Sequence, residues 1–143
     1  GFMSDDKTSM RFGYSIIYVS DVPKTLEFYE GAFGLQTGFL HGSQLYGELE
    51  TGETTLAFAA NEMAKLNGLS VRANRADETA AGYEIALVTE NPKNAFERAV
   101  NAGAYPVKAP ETKPWGQIVA YVRDNNGCIV EICSLIEKAS GEV

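Results

Sequence analysis

The chain has 143 residues, enough for one ordinary domain or two small intertwined modules. It is 45% apolar and 22% charged, as soluble globular proteins are, and it contains no apolar run long enough to span a bilayer. A net charge of −7 without a basic patch argues against nucleic acid as a partner and suits a neutral or cationic ligand.

In chain order, residues 1–10 read as a disordered tail, with no visible signal peptide. "YSIIYV" at 14–19 is a strand signal, rich in β-branched and aromatic residues. "SDVP" then opens a helix: Ser20 or Asp21 can cap it and Pro23 suits the first turn. Val22, Leu26, Tyr29 and Phe33 recur at helical spacing as one apolar stripe, and Gly34 ends it. Three short strands follow, at about 36–40, 45–50 and 54–60, punctuated by Gly42-Ser43 and Thr51-Gly52. Residues 61–81 lack periodicity and read as a connection or a cavity lid.

The second half repeats the order. "YEIALVT" at 83–89 is a strand, and Asn91-Pro92 opens a helix whose stripe is Phe96, Ala99 and Val100, stopped by Gly103. Strands follow at 105–109, 117–123 and 128–134, the last two joined at Asn126-Gly127, a pair that favours a type I′ hairpin turn. The chain therefore reads β-α-β-β-β twice, as a first module at 11–60, a connection at 61–81, a second module at 82–136 and a tail at 137–143. "VSDVPK" and "VTENPK" set the repeat at 69 residues, whereas the helix stripes set it at 70.

Each module has one helix for one face of a small sheet, so the other faces can line a shared cavity. Alternation selects the side chains that enter it. In the last strand Val130 and Ile132 go to the helix, and Ile129, Glu131 and Cys133 to the concavity. In the strand before it, Trp115, Gln117, Val119 and Tyr121 form the concave set, with Trp115 and Tyr121 as walls and Gln117 as a polar handle. Cys128 and Cys133 have an odd spacing on one strand and cannot bridge each other, which fits a reducing, cytoplasmic setting. His41, the one histidine, leaves no cluster for zinc and reads as a rim or surface residue.

"YVSDVPKTLEFYEGAFGL" resembles the opening of the vicinal oxygen chelate superfamily, which includes glyoxalase I, bleomycin-resistance proteins, fosfomycin-resistance enzymes and extradiol dioxygenases. "PWGQIVAYVRDNNGCIVEI" resembles its closing hairpin, and the resemblance covers nearly all of residues 11–136. It implies an α+β fold of two paired βαβββ modules, a curved mixed sheet around a concave cavity, and a homodimer. In the family's metalloenzymes a divalent metal sits in the concavity, held from the first and fourth strands of each module. Those positions fall here on Tyr14, Ala57, Glu84 (Tyr83 if the repeat is 69) and Glu131. Only Glu131 is retained in kind. Ala57 cannot ligate, and two carboxylates without imidazole suit transition metals poorly.

The expectation is therefore a small-molecule-binding protein without the usual catalytic metal or another cofactor, its ligand held by Tyr14, Glu84, Trp115, Gln117, Tyr121 and Glu131. Glu131, a cavity carboxylate expected near Glu84 across the paired sheets, would with it grip a cation or share a proton for acid–base work. The alternatives are a metal-dependent lyase, isomerase or glyoxalase-like enzyme with a divalent metal at Glu131 and Glu84, and a fold relic in which Glu131 has no role.

Overall fold

The computed structural model describes residues 7–136; the tails expected at 1–10 and 137–143 therefore fall partly and wholly outside the described residues. The first half comprises β1 (Tyr14–Val19), α1 (Val22–Phe33), β2 (Thr37–Leu40), β3 (Tyr46–Leu49) and β4 (Thr55–Ala60). A short α2 (Asn61–Leu66) follows. The second half comprises β5 (Glu84–Val88), α3 (Pro92–Asn101), β6 (Tyr105–Thr112), β7 (Ile118–Arg123) and β8 (Ile129–Cys133).

Both helices begin and end as their sequences dictate. The carboxylate of Asp21 accepts from the Lys24 amide and the Asn91 side chain from the Asn94 amide, with proline in each first turn. α1 stops at Gly34, whose φ of 72° is left-handed and whose N–H donates to the Glu30 carbonyl.

The strands form two four-stranded mixed sheets, β1-β4-β3-β2 and β5-β8-β7-β6. In each, the first and last strands of a module run parallel and the remaining pairs are antiparallel. The two registers correspond. Tyr14 pairs with Thr55 as Glu84 pairs with Ile129, and Ile16 pairs with Ala57 as Ala86 pairs with Glu131. The offset is therefore 70 residues from β1 to β5 and 74 from β4 to β8, and Ala57 occupies in the first sheet the place of Glu131 in the second.

One core joins the modules. The helix-facing residues Ile17, Val19, Leu56 and Phe58 of the first sheet belong to the same buried cluster as Ala120, Val122, Val130 and Ile132 of the second. α1 packs on β3 and β4, α3 on β6, β7 and β8, and the two helices pack on each other. The helix-free faces of both sheets therefore turn away from this shared core. α1 packs closely on β3 at Gly47, where a Cβ would stand 2.7 Å from the Leu26 side chain.

Three expectations are corrected. The β7–β8 connection is a three-residue loop, Asn125 to Gly127, closed by Asp124 N–H to Cys128 C=O (2.8 Å) and Gly127 N–H to Asp124 C=O (2.9 Å). Gly127 alone has positive φ there, so this is not a type I′ turn, which needs two such residues. The Asp124 carboxylate selects the longer loop by accepting from the Asn126 and Cys128 amides. Residues 61–81 contain α2, and the stretch after it is held to both modules: Arg123 of β7 donates to the carbonyls of Arg75 and Glu78, and Asn74 to that of Tyr18 in β1. β6 also runs three residues beyond the expected 105–109, to Thr112, through Pro106 and Pro110. It is an edge strand, and an edge tolerates residues without an N–H.

The loop is locked to α1 from below. The fully buried Tyr29 donates its hydroxyl to Asp124 Oδ2 at 2.5 Å, and Asn126 donates to Thr25 Oγ1 at 3.0 Å. Burial raises the pKa of Tyr29 above its ordinary value, and the neighbouring Asp124 carboxylate adds to the shift. Tyr29→Phe keeps the ring and strands a buried carboxylate oxygen. It should destabilise the protein by about 1–3 kcal/mol in denaturant unfolding. An unchanged midpoint would show that the bond contributes nothing net.

Candidate functional site

Alternation places Glu84 on β5, Glu131 on β8 and Tyr121 on β7 on the helix-free face of the second sheet. Tyr121 and Glu131 are cross-strand partners, and Glu84 is diagonal to Glu131, which pairs with Ala86. On the other face Val130 and Ile132 are buried in the core, with Ile85 and Leu87 packed against it. This settles the choice of offset for Glu84. Tyr83 instead turns to the core, its hydroxyl 3.0 Å from Cys128 Sγ.

The two carboxyl groups interact directly. A hydrogen bond with Glu131 is the largest cause of a raised Glu84 pKa, followed by desolvation and by the charge of Glu131. Glu84 therefore keeps its proton to a higher pH than an isolated glutamate, and that is the proton the two carboxyls can share. Tyr121 is raised first by desolvation, then by the charge of Glu131 and a hydrogen bond to it. The Cys133 thiol, buried beside them, is pushed up to about 11 by desolvation and by Glu131. It remains a neutral thiol near neutral pH rather than a nucleophile.

Gln117 and Trp115 continue this face past the start of β7. The Gln117 amide donates to the Ser134 carbonyl (2.9 Å), and its oxygen accepts from the Trp115 indole N–H (2.9 Å). Trp115 is 54% exposed, and this hydrogen bond anchors its indole. The structure thus brings five of the six expected residues onto one sheet face, and the Glu84–Glu131 pair lies within one sheet rather than across two.

Tyr14 is the exception. It lies on the helix-free face of the first sheet, 58% exposed, among Ile16, Phe39 and Tyr46. That face carries a carboxylate the motif positions did not indicate. Glu48 pairs with Ala57 as Tyr121 pairs with Glu131, and its Oε2 accepts from the Tyr46 hydroxyl at 2.7 Å. Desolvation raises the Tyr46 pKa, and Glu48 adds to the shift. The alternation in "YGEL" is the signal that would have found it, since Gly47 and Leu49 pack toward α1. His41 is exposed just beyond β2, with Nδ1 2.8 Å from Ser43 Oγ.

The metal positions implied by the family do not form a metal site in this chain. Ala57 offers no donor, and Glu84 and Glu131 supply carboxylates without imidazole. Among the described residues no three His, Cys, Asp or Glu side chains are gathered for a metal ion.

The fold, the repeat in register and the residues on the open faces define a two-module protein of the glyoxalase type. Residues 11–132 match the model of the Glyoxalase/Bleomycin resistance protein/Dioxygenase superfamily, and the chain belongs to that family. Among solved structures it is similar to a glyoxalase-related enzyme from Fulvimarina pelagi, with a TM-score of 0.76 and 18% identity over 94% of this chain and 96% of that one. It is also similar to a glyoxalase/bleomycin resistance protein/dioxygenase family enzyme from Burkholderia phytofirmans PsJN, with a TM-score of 0.67 and 23% identity over 85% and 96%. A third, TioX from Micromonospora sp. ML1, has a TM-score of 0.66 and 18% identity over 87% and 98%. No curated protein matches. At these identities the structural likenesses establish the fold alone.

The carboxyl pair sets a sign for the pH dependence of stability. Because the Glu84 pKa is raised in the folded state, folding takes up protons between the ordinary glutamate value and the raised one. The stability from the shared proton is fully present below the ordinary value and is lost as pH rises through the raised one. Glu131→Gln should flatten this part of the stability profile and narrow the stability deficit above it. A profile equally steep in both proteins would show that the carboxyls do not interact.

Proposed function

We propose that the protein binds a small organic cation on the helix-free face of its second sheet, without a catalytic metal. The observation that carries this reading is the Glu84–Glu131 carboxyl pair, set beside Tyr121 and followed along the face by Gln117 and Trp115. A cation entering the pair takes the place of the shared proton and relieves the repulsion between the carboxylates. The aromatic rings supply apolar walls and cation–π contacts. Gln117, anchored on Ser134, gives the wall a fixed polar position.

A homodimer completes the cavity in this reading. β1 and β5 are sheet edges, each with one side unpaired within the chain. The first-sheet face exposes Tyr14, Ile16 and Phe39 at 58%, 46% and 46%, a liability in an isolated monomer. Laying β1 of one protomer beside β5 of the other would cover both edges and bring Tyr14 next to Glu84. The exposed tyrosine and the open carboxyl pair would then share one cavity, to which Glu48 adds a third carboxylate.

One observation favours a second reading. A carboxyl pair sharing a proton can both accept and donate it, so the same site suits proton transfer on a bound substrate, as in a metal-free isomerase or lyase.

Trp115 is the sole tryptophan and reports the site directly. Phenethylammonium should quench or shift its emission at lower concentration than neutral 2-phenylethanol. Glu131→Gln should remove that preference, because a partly desolvated carboxylate attracts a cation far more than surface charge does. Trp115→Ala, followed by calorimetry, should weaken binding by about 1–3 kcal/mol. Equal responses to cation and alcohol in the wild type would overturn the assignment. Light scattering at micromolar concentration should give about twice 15.5 kDa, falling toward the monomer in Ile16→Asp. A monomeric wild type would refute the dimer.

A further inference from the structure

A cleft of about 390 Å³ opens where the two modules meet, on the helix side of the sheets. It is separate from the carboxyl pair: Leu87 and Ile132, which line it, project from β5 and β8 on the side opposite Glu84 and Glu131. Its volume lies within the roughly 300–1,000 Å³ range of small-molecule sites. The two ends of this junction differ. Toward the start of α1, the Thr25, Tyr29, Asp124 and Asn126 network closes it with the protein's own side chains. Toward the end of α1 the cleft remains, floored by Phe33, Leu35, Leu87 and Ile132.

The mouth has a different chemistry. Asn91, Asn94 and Arg98 lie three and four residues apart, on one side of α3, and all line the cleft. Arg98 is the single charged side chain among the lining residues. Its guanidinium is fixed in place, donating from Nε to the Gly31 carbonyl (3.0 Å) and from Nη2 to the Glu30 carbonyl (3.4 Å). Among the described residues the ion pairs are Arg75–Glu78 and Lys113–Glu111, and Arg98 belongs to neither. In a chain of net charge −7, a positioned arginine without a carboxylate partner, at the mouth of an apolar cleft, leaves a place for one from outside.

We propose that this cleft binds a small carboxylic acid with an apolar body. The body lies against Phe33, Leu35, Leu87 and Ile132, and the carboxylate meets Arg98, with the Asn94 amide beside it. A neutral apolar ligand would bury the guanidinium without a counter-charge, and an organic cation would be repelled by it. An inorganic anion would leave the apolar floor unused. Because the protein as a whole repels anions, binding here depends on the site rather than on general attraction.

The test is calorimetric titration with 4-phenylbutyrate and its neutral amide, 4-phenylbutanamide, at a pH where the acid is ionised. The acid should bind roughly tenfold or more tightly than the amide, since charge-assisted hydrogen bonds are about twice as strong as neutral ones. Arg98→Gln should abolish that preference. Because Arg98 also caps α1, Ala95→Phe provides an independent variant, filling the cleft while leaving the arginine in place; it should abolish binding of both compounds. Glu131→Gln should change neither. In the wild type, the backbone amide resonances of Leu87, Ala95 and Arg98 should move on titration and those of Glu84 and Glu131 should not. Absence of binding at millimolar acid, equal affinity for acid and amide, or resonance shifts confined to the Glu131 face would each overturn the proposal.

Discussion

Each four-stranded sheet has a single helix to cover it, and the pleat sends alternate side chains to opposite faces. The covered faces have packed together, α1 against α3, into one core that runs from Ile17 and Phe58 to Val130 and Ile132. The carboxylates of β5 and β8 therefore stand on the uncovered face. Glu84 and Glu131 stand together because β5 and β8 are parallel neighbours and both residues are on the outer phase of the pleat. The same constraint leaves Tyr14, Ile16 and Phe39 exposed in one chain, which is the physical reason to expect a second copy.

The duplicated register turns the family comparison into residue chemistry. Ala57 and Glu131 are equivalent positions, as are Tyr14 and Glu84. The first sheet has alanine at its fourth strand and a carboxylate on the neighbouring strand, Glu48, held by Tyr46. The second sheet has kept Glu131 and carries Glu84 where the first has tyrosine. Both sheets thus carry carboxylates without imidazole on their open faces, which is the basis of the proposed cation site.

Much of this was legible in the sequence because it is local or periodic. Asp21, Asn91 and Gly34 act where capping rules place them. The alternation Val130, Glu131, Ile132 fixed which face the glutamate takes, and Ile85 and Leu87 fixed Glu84 over Tyr83. Other features depended on partners distant in the chain. Asn126-Gly127 carries a two-residue hairpin signal, yet Asp124, held by Tyr29 from α1, imposes a three-residue loop. α2 begins without a side-chain cap and is too short to show a period. The prolines of β6 read as strand breakers until the strand is known to be an edge. The cleft at Arg98 exists only once α1 and α3 are docked, so no local pattern announces it.

Whether the Glu84–Glu131 pair is a working cation site can be read from the carboxyls themselves. Carbon-13 NMR of side-chain-labelled glutamate, followed against pH with and without phenethylammonium, reports both groups in one experiment. An interacting pair titrates in two macroscopic steps, the upper above the ordinary glutamate range, and a bound cation moves that upper step down. Two independent, ordinary titrations that ignore the cation would contradict the central role given to this pair.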